Sequence, residues 1–167
     1  MGGVKVMRLI QNPDVMDEIS ANITSYFDDS LRNYSIEELF EWTNHYLNWS
    51  DSISGNRPSD PREVLKSGEG QCQEYSLLFA SACVATNKDV RIVVCEKSNF
   101  LNGHHAWNQV ILDGSWVDVD SSLSKVNSLE TYHGWFWWAD VGEDCFVFSF
   151  DLDGKCEDIT GEFVCTY

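Results

Sequence analysis

The chain has 167 residues, 43% hydrophobic and 13% aromatic, which is enough to fill the core of one domain. Its net charge of −16 excludes the basic footprint that nucleic-acid binding needs and argues against docking on anionic lipid. No apolar stretch is long enough to span a membrane, and nothing in the composition suggests disorder.

The opening segment, MGGVKVMRLIQNP, lacks the apolar core of a signal peptide, which favours a cytoplasmic location. Asn12-Pro13 then offers a cap residue followed by proline at the first helical position. Val15, Met16, Ile19, Ile23, Tyr26 and Phe27 recur at helical spacing and predict a first helix. Ser35, with Glu38 three residues on, forms a capping box for a second helix. Leu39, Phe40, Tyr46 and Leu47 supply its apolar side. Residues 50–60 read as a loop. Asp60-Pro61 with Glu63 opens a short helix that ends near Ser67, and SGEGQ (67–71) reads as a glycine-punctuated turn. From Cys72 to Thr86 the apolar run CQEYSLLFASACVAT has the length and composition of a buried helix.

After Asn87 the pattern turns β-branched, and VRIVVCEK (90–97) predicts a strand. HHAWNQVIL (104–112) and SWVDVD (115–120) flank Asp113-Gly114, a strong two-residue hairpin signal. Residues 121–142 are Trp-rich and irregular. CFVFSFDL (145–152) and KCEDI (155–159) flank Asp153-Gly154 and predict a second hairpin. Helices first and an antiparallel sheet second make an α+β layout.

Six cysteines (72, 83, 95, 145, 156 and 165) are spread without a CxxC pair, so zinc-site patterns fail and no metal is expected. Sequons at Asn22, Asn33 and Asn48 leave the compartment open. Cys83 lies eleven residues after Cys72, several turns along one helix, and cannot serve it as a resolving thiol. A two-residue second turn does not set Cys145 opposite Cys156. At least Cys72 is expected to be a free thiol.

A nucleophilic cysteine needs an environment that favours its anion, a base within reach and a group that orients the base. Cys72 sits where a Gly-rich turn opens a helix, beside partial positive charge and free N–H donors. Position alone leaves two readings open, a nucleophile or a small buried residue. His104 and His105 begin a strand, where a lone histidine is more often structural. Period-two alternation puts His105, Trp107, Gln109 and Ile111 on one face. A two-residue turn pairs Leu112 with Ser115, so Trp107 faces Asp120 and His105 faces Ser122. Asp120 is then a same-face diagonal neighbour of His105, whereas Asp118 faces Gln109, too far along the strand. Register therefore selects His105 over His104 and Asp120 over Asp118. A three-residue turn would send Asp120 to the other face.

The blocks Gly70-Gln71-Cys72, His105-Ala106-Trp107 and Trp116-Val117-Asp118-Val119-Asp120 resemble, in type and order, the core of the transglutaminase-like superfamily. Within it the pattern is most similar to the catalytic core of peptide:N-glycanases, which also carry a Glu just after the nucleophile, as Glu74 does here. Residues 146–163 resemble the C-terminal strand pair of those enzymes, with Asp158-Ile159-Thr160 in the place of their signature. The resemblance implies a papain-like fold in which the nucleophile helix packs on an antiparallel sheet. It implies that Cys72, His105 and Asp120 form a catalytic triad acting through an acyl-enzyme, with no cofactor and a protein or peptide substrate. An upstream aromatic that assists the oxyanion in some relatives has Trp49 or Tyr46 as candidates, although both also suit a core. Trp107 is expected to pack beside the triad. The glycanases' four-cysteine zinc site has no counterpart, since no cysteine precedes Cys72. The expectation is one domain over 1–167, with a helical part (1–59) and a catalytic core (60–165). Its function is expected to be thiol-dependent amide hydrolysis, the alternatives being acyl transfer to an amine or an inactive protein-binding module.

Overall fold

The computed structural model describes residues 31–51, 61–98, 103–123, 145–150, 156–159 and 162. The helix expected near 13–27 and most of the Trp-rich segment lie outside them. Helix α1 (Ile36–Tyr46) starts at Ser35, whose hydroxyl accepts from the Glu38 N–H while Glu38 accepts from the Ser35 N–H, as the capping box requires. Leu39 and Phe40 are fully buried. Tyr46 is not part of that apolar side. It is 40% exposed, packs at a tilt against Trp42 one turn back and donates its hydroxyl to the Leu65 carbonyl.

Strand β1 (Asn48–Trp49), helix α2 (Pro61–Ser67) and strand β2 (Glu69–Gly70) follow. β1 and β2 pair in parallel, Asn48 beside Glu69 and Trp49 beside Gly70. The glycine turn predicted at 67–71 thus contains a short strand. A two-residue strand has no periodicity to read, and its partner lies some twenty residues away.

Helix α3 (Cys72–Ala85) runs through the core. Its Phe79, Ala82 and Cys83 meet Phe40 from α1 and Ile92, Val110 and Phe148 from the sheet. The sheet holds β3 (Val90–Ser98), β4 (Gly103–Leu112), β5 (Ser115–Val119), β6 (Cys145–Phe150) and β7 (Cys156–Asp158). All neighbours are antiparallel in the order β5-β4-β3-β6-β7. Ala106, Val110 and Val119 join the cluster around α3, and Asn108 on the same face donates to the Ser76 carbonyl. The alternate residues of β4, including His105 and Trp107, take the opposite face.

The first hairpin has the predicted register, with Leu112 opposite Ser115 and Asn108 opposite Val119. Asp113 (φ 51) and Gly114 (φ 78) both adopt the left-handed backbone of a type I′ turn. The second hairpin pairs β6 with β7, but Phe150 faces Cys156 and Phe148 faces Asp158. That register is one residue away from the two-residue turn predicted at Asp153-Gly154, so the connection is odd in length. An Asp-Gly pair favours a turn without dictating how many residues it takes.

An added Cβ at Gly114 meets nothing within 4 Å, so its positive φ is the sole obstacle to a side chain. A Gly114→Ala variant is expected to lose about 1 kcal/mol in urea denaturation. An unchanged midpoint would contradict the left-handed turn.

Candidate active site

The site has two halves that come from distant parts of the chain. The first is the turn into α3. The Asn48 N–H donates to the Gly68 carbonyl at 2.9 Å, and the Ser50 N–H donates to the Gly70 carbonyl at 3.1 Å. The Gln71 side chain reaches back to the Ser50 carbonyl at 3.3 Å. Gly70 is required by close packing, because a Cβ there would lie 2.6 Å from Glu74 Cβ. Glu74 is only 2% exposed. Its carboxylate accepts from the Gln71 N–H at 2.9 Å and from Gln73 Nε2 at 2.6 Å. An acid in the first turn suits the positive end of the helix. Tyr75 donates its hydroxyl to the Leu47 carbonyl at 2.8 Å, and burial raises its pKa, so it remains a neutral donor. Cys72 sits at the head of this turn as a half-buried free thiol.

The second half is the open end of the β4–β5 hairpin. His105 is buried, and its Nε2 lies 2.5 Å from Asp120 Oδ2. The other Asp120 oxygen, Oδ1, accepts from the Ser122 N–H at 2.9 Å and from the Ser122 hydroxyl at 2.5 Å. Cys72 also lies near enough to His105 to favour its protonated form. Beside His105, which pairs with Cys95, the β3–β4 ladder shifts register between Cys95 and Ser98.

Burial by itself disfavours a charged imidazole. Hydrogen bonds and charge from Asp120 and Cys72 outweigh it and raise the His105 pKa from its ordinary 6.5 to about 10. Trp107 stacks on the His105 ring at 6.0 Å between centroids and donates its indole N–H to Asp118 at 2.7 Å. Asp118 also accepts from Gln109 at 3.1 Å. It therefore serves Trp107 and Gln109, whereas Asp120 serves His105, the division that the hairpin register predicts.

Trp49 lies beside Gly70, two residues before Cys72, and is 53% exposed. Its indole N–H donates to Asp51 at 2.8 Å, so that donor is occupied in this conformation. Tyr46 is committed to Leu65 and is not brought to the thiol. Two residues escaped the sequence reading as contributors. Ser122 could have been suspected, because an Asp with Ser two residues on favours a local side-chain-to-backbone turn. Asn44, whose amide donates to the carbonyls of Ser121 and Leu123, carried no signal. Among the described residues no group of three or more His, Cys, Asp or Glu is placed to hold a metal ion.

Comparisons with known proteins give the family to which the chain belongs. A sequence profile of the transglutaminase-like superfamily matches residues 17–121, more than half of the chain, and the chain belongs to that superfamily. The peptide-N(4)-(N-acetyl-beta-glucosaminyl)asparagine amidase of Drosophila melanogaster is 35% identical over 73% of this chain, which spans 24% of that protein's length. Among solved structures, a candidate protease from Parabacteroides distasonis ATCC 8503 is similar at a TM-score of 0.51 and 14% identity, covering 99% of this chain and 31% of that one. Calcium-bound LapG of Legionella pneumophila is similar at a TM-score of 0.47 and 20% identity, covering 90% and 84%. The mixed helix and antiparallel-sheet fold expected from the sequence is therefore that of the superfamily.

Two outcomes follow from this geometry. Gly70→Ala is expected to cost about 1–3 kcal/mol in chemical denaturation and to slow alkylation of Cys72, because the Glu74 turn must shift. A neutral result on both would sink the close-packing account. The raised His105 pKa stabilises the fold fully below pH 6.5, and that contribution is lost as pH rises through about 10. Melting temperatures of the wild type and a His105→Asn variant should therefore converge across that window. A constant gap would show that the imidazole does not hold its proton.

Proposed function

We propose that the chain is a thiol-dependent amide hydrolase in which Cys72 is the nucleophile, His105 the acid–base and Asp120 the group that fixes the imidazole. The observation that carries this reading is buried His105 bonded to the Asp120 carboxylate, with Cys72 among the groups that favour its protonated form. In this reading the Cys72 sulfur attacks the amide carbonyl carbon as a thiolate while the proton rests on His105. The carbonyl electron pair moves to oxygen, where N–H groups of the first turn of α3 stabilise it. As the C–N bond breaks, His105 gives its proton to the leaving nitrogen, and a thioester remains on Cys72. Water then attacks the thioester carbon, His105 takes the water's proton, and the C–S bond breaks. The products are a carboxylate, a free amine and the resting pair. Asp120, tied by Ser122, keeps the imidazole in one orientation through both halves.

The substrate class is an amide on a peptide or protein. The sequence similarity to an asparagine amidase makes the side-chain amide of an N-glycosylated asparagine the first substrate to test. That cleavage leaves an aspartate on the peptide and carries the nitrogen away on the sugar. A glutamine side-chain amide and a peptide bond are the alternatives within the same chemistry.

Iodoacetamide labelling followed by mass spectrometry tests the nucleophile without a substrate. Cys72 is expected to label much faster than Cys83, whose thiol is fully buried and has its pKa raised by burial. Equal rates would count decisively against the assignment. On a substrate found by screening, Cys72→Ala should abolish turnover, and Asp120→Asn should lower kcat by about a hundredfold or more. Ammonia release from a glutamine peptide that rises when an amine is added would mark acyl transfer instead of hydrolysis.

A further inference from the structure

We propose that Asn44 is a positioning residue of this site, and that the C-terminal end of α1 aligns its two halves. The inference rests on the triad reading above. Asn44 is 1% exposed, and its amide donates to the Ser121 carbonyl at 2.9 Å and the Leu123 carbonyl at 3.1 Å. These two carbonyls flank Ser122, so one side chain grips the backbone on both sides of the residue that holds Asp120. The amide has two hydrogens, and each meets one carbonyl. From Ser122 the chain of contacts passes to Asp120 Oδ1, across that carboxylate to His105, and from His105 to Cys72.

The same stretch of chain holds the nucleophile's turn. Three residues beyond Asn44, the Leu47 carbonyl accepts the Tyr75 hydroxyl from the first turn of α3. Asn48 and Ser50 donate their N–H groups to Gly68 and Gly70. Thus residues 44–50 bind the acid half through a side chain and the thiol half through the backbone. One capped helix end adds a second tie between Cys72 and the His105–Asp120 pair, beside the direct Asn108–Ser76 contact of β4 with α3. An offset of about an ångström at a reacting pair costs on the order of a hundredfold in rate, which makes such an anchor worth its burial.

The test uses the full chain and the rate of Cys72 alkylation by iodoacetamide across a pH series. The groups that set this profile through His105 are Asp120 and Cys72, with Asp118 acting through the stacked Trp107. Asn44→Ala should slow alkylation about tenfold near neutral pH and move the profile to higher pH, as the Asp120 support loosens. Thr43→Ala is the control. Thr43 is equally buried on the same helix and bonds the Leu39 carbonyl, so it should lose stability with no change in profile. Where Asn44→Ala does not fold, Asn44→Ser, whose shorter hydroxyl cannot span both carbonyls, decides instead, with the same slowing and shift expected. A fast Cys72 in the wild type with an unchanged profile in the Asn44 variant overturns this inference and leaves the triad standing. So does an equal shift in Thr43→Ala, which would reduce Asn44 to a stability effect. A wild-type Cys72 no faster than Cys83 overturns the triad reading and this inference together.

Discussion

Side chains on a strand alternate faces, so the length of one turn decides which residues of a hairpin can meet. At Asp113-Gly114 two consecutive left-handed residues close the β4–β5 connection in two residues. That length carries Asp120 to the face of His105 and places Asp118 under Trp107 instead. One residue more would exchange the faces and leave His105 without its carboxylate. The charge balance of the site depends on this local constraint, since the Asp120 contact is the strongest influence opposing the burial that would otherwise neutralise the imidazole.

The turn alone does not make a site, because it says nothing about the thiol. α3 is buried on almost every side, and its position follows from apolar packing against the sheet and α1. Packing of this kind is non-directional and fixes a helix to within side-chain shape. Placing a sulfur against a ring nitrogen needs directed bonds as well. Bonds of that kind are present at the head of α3 in the β1–β2 pairing, the Glu74 cap and the Tyr75 hydroxyl, and beyond β5 at Asn44 and Ser122. The core sets the layers, and a small set of buried polar contacts sets the register between them. Buried polar contacts suit this task because breaking one strands a desolvated group, so alternatives are costly.

The acidic residues near the site have different duties despite their common charge. Glu74 caps the helix that carries Cys72, Asp118 holds Trp107 and Gln109, and Asp120 holds His105. Each has hydrogen-bond donors, and for buried Glu74 and Asp120 that is the condition under which a carboxylate leaves water. A count of acids predicts none of these roles. Position relative to the hairpin turn predicts one of them, Asp120 with His105.

Much of this was legible in the chain itself, wherever the deciding physics is local. The Ser35–Glu38 box, the apolar run from Cys72 and the Asp113-Gly114 turn all act within a few residues, and each appears where it was read. Because the hairpin is local, the choice of His105 with Asp120 was local too. The three-residue separation that makes Asn44 and Leu47 neighbours was visible, but nothing in it pointed to Ser121 or Tyr75. The β1–β2 pairing, the exposed face of Tyr46, the odd register of the second hairpin and the Asn44 contact to a turn 77 positions away were not legible. Each depends on which elements come to lie side by side. The meeting of Cys72 with His105 belongs to the same group. A strand's periodicity and a helix's cap are written within a turn or two of sequence, whereas the packing of α3 across the sheet follows from burial summed over the whole chain.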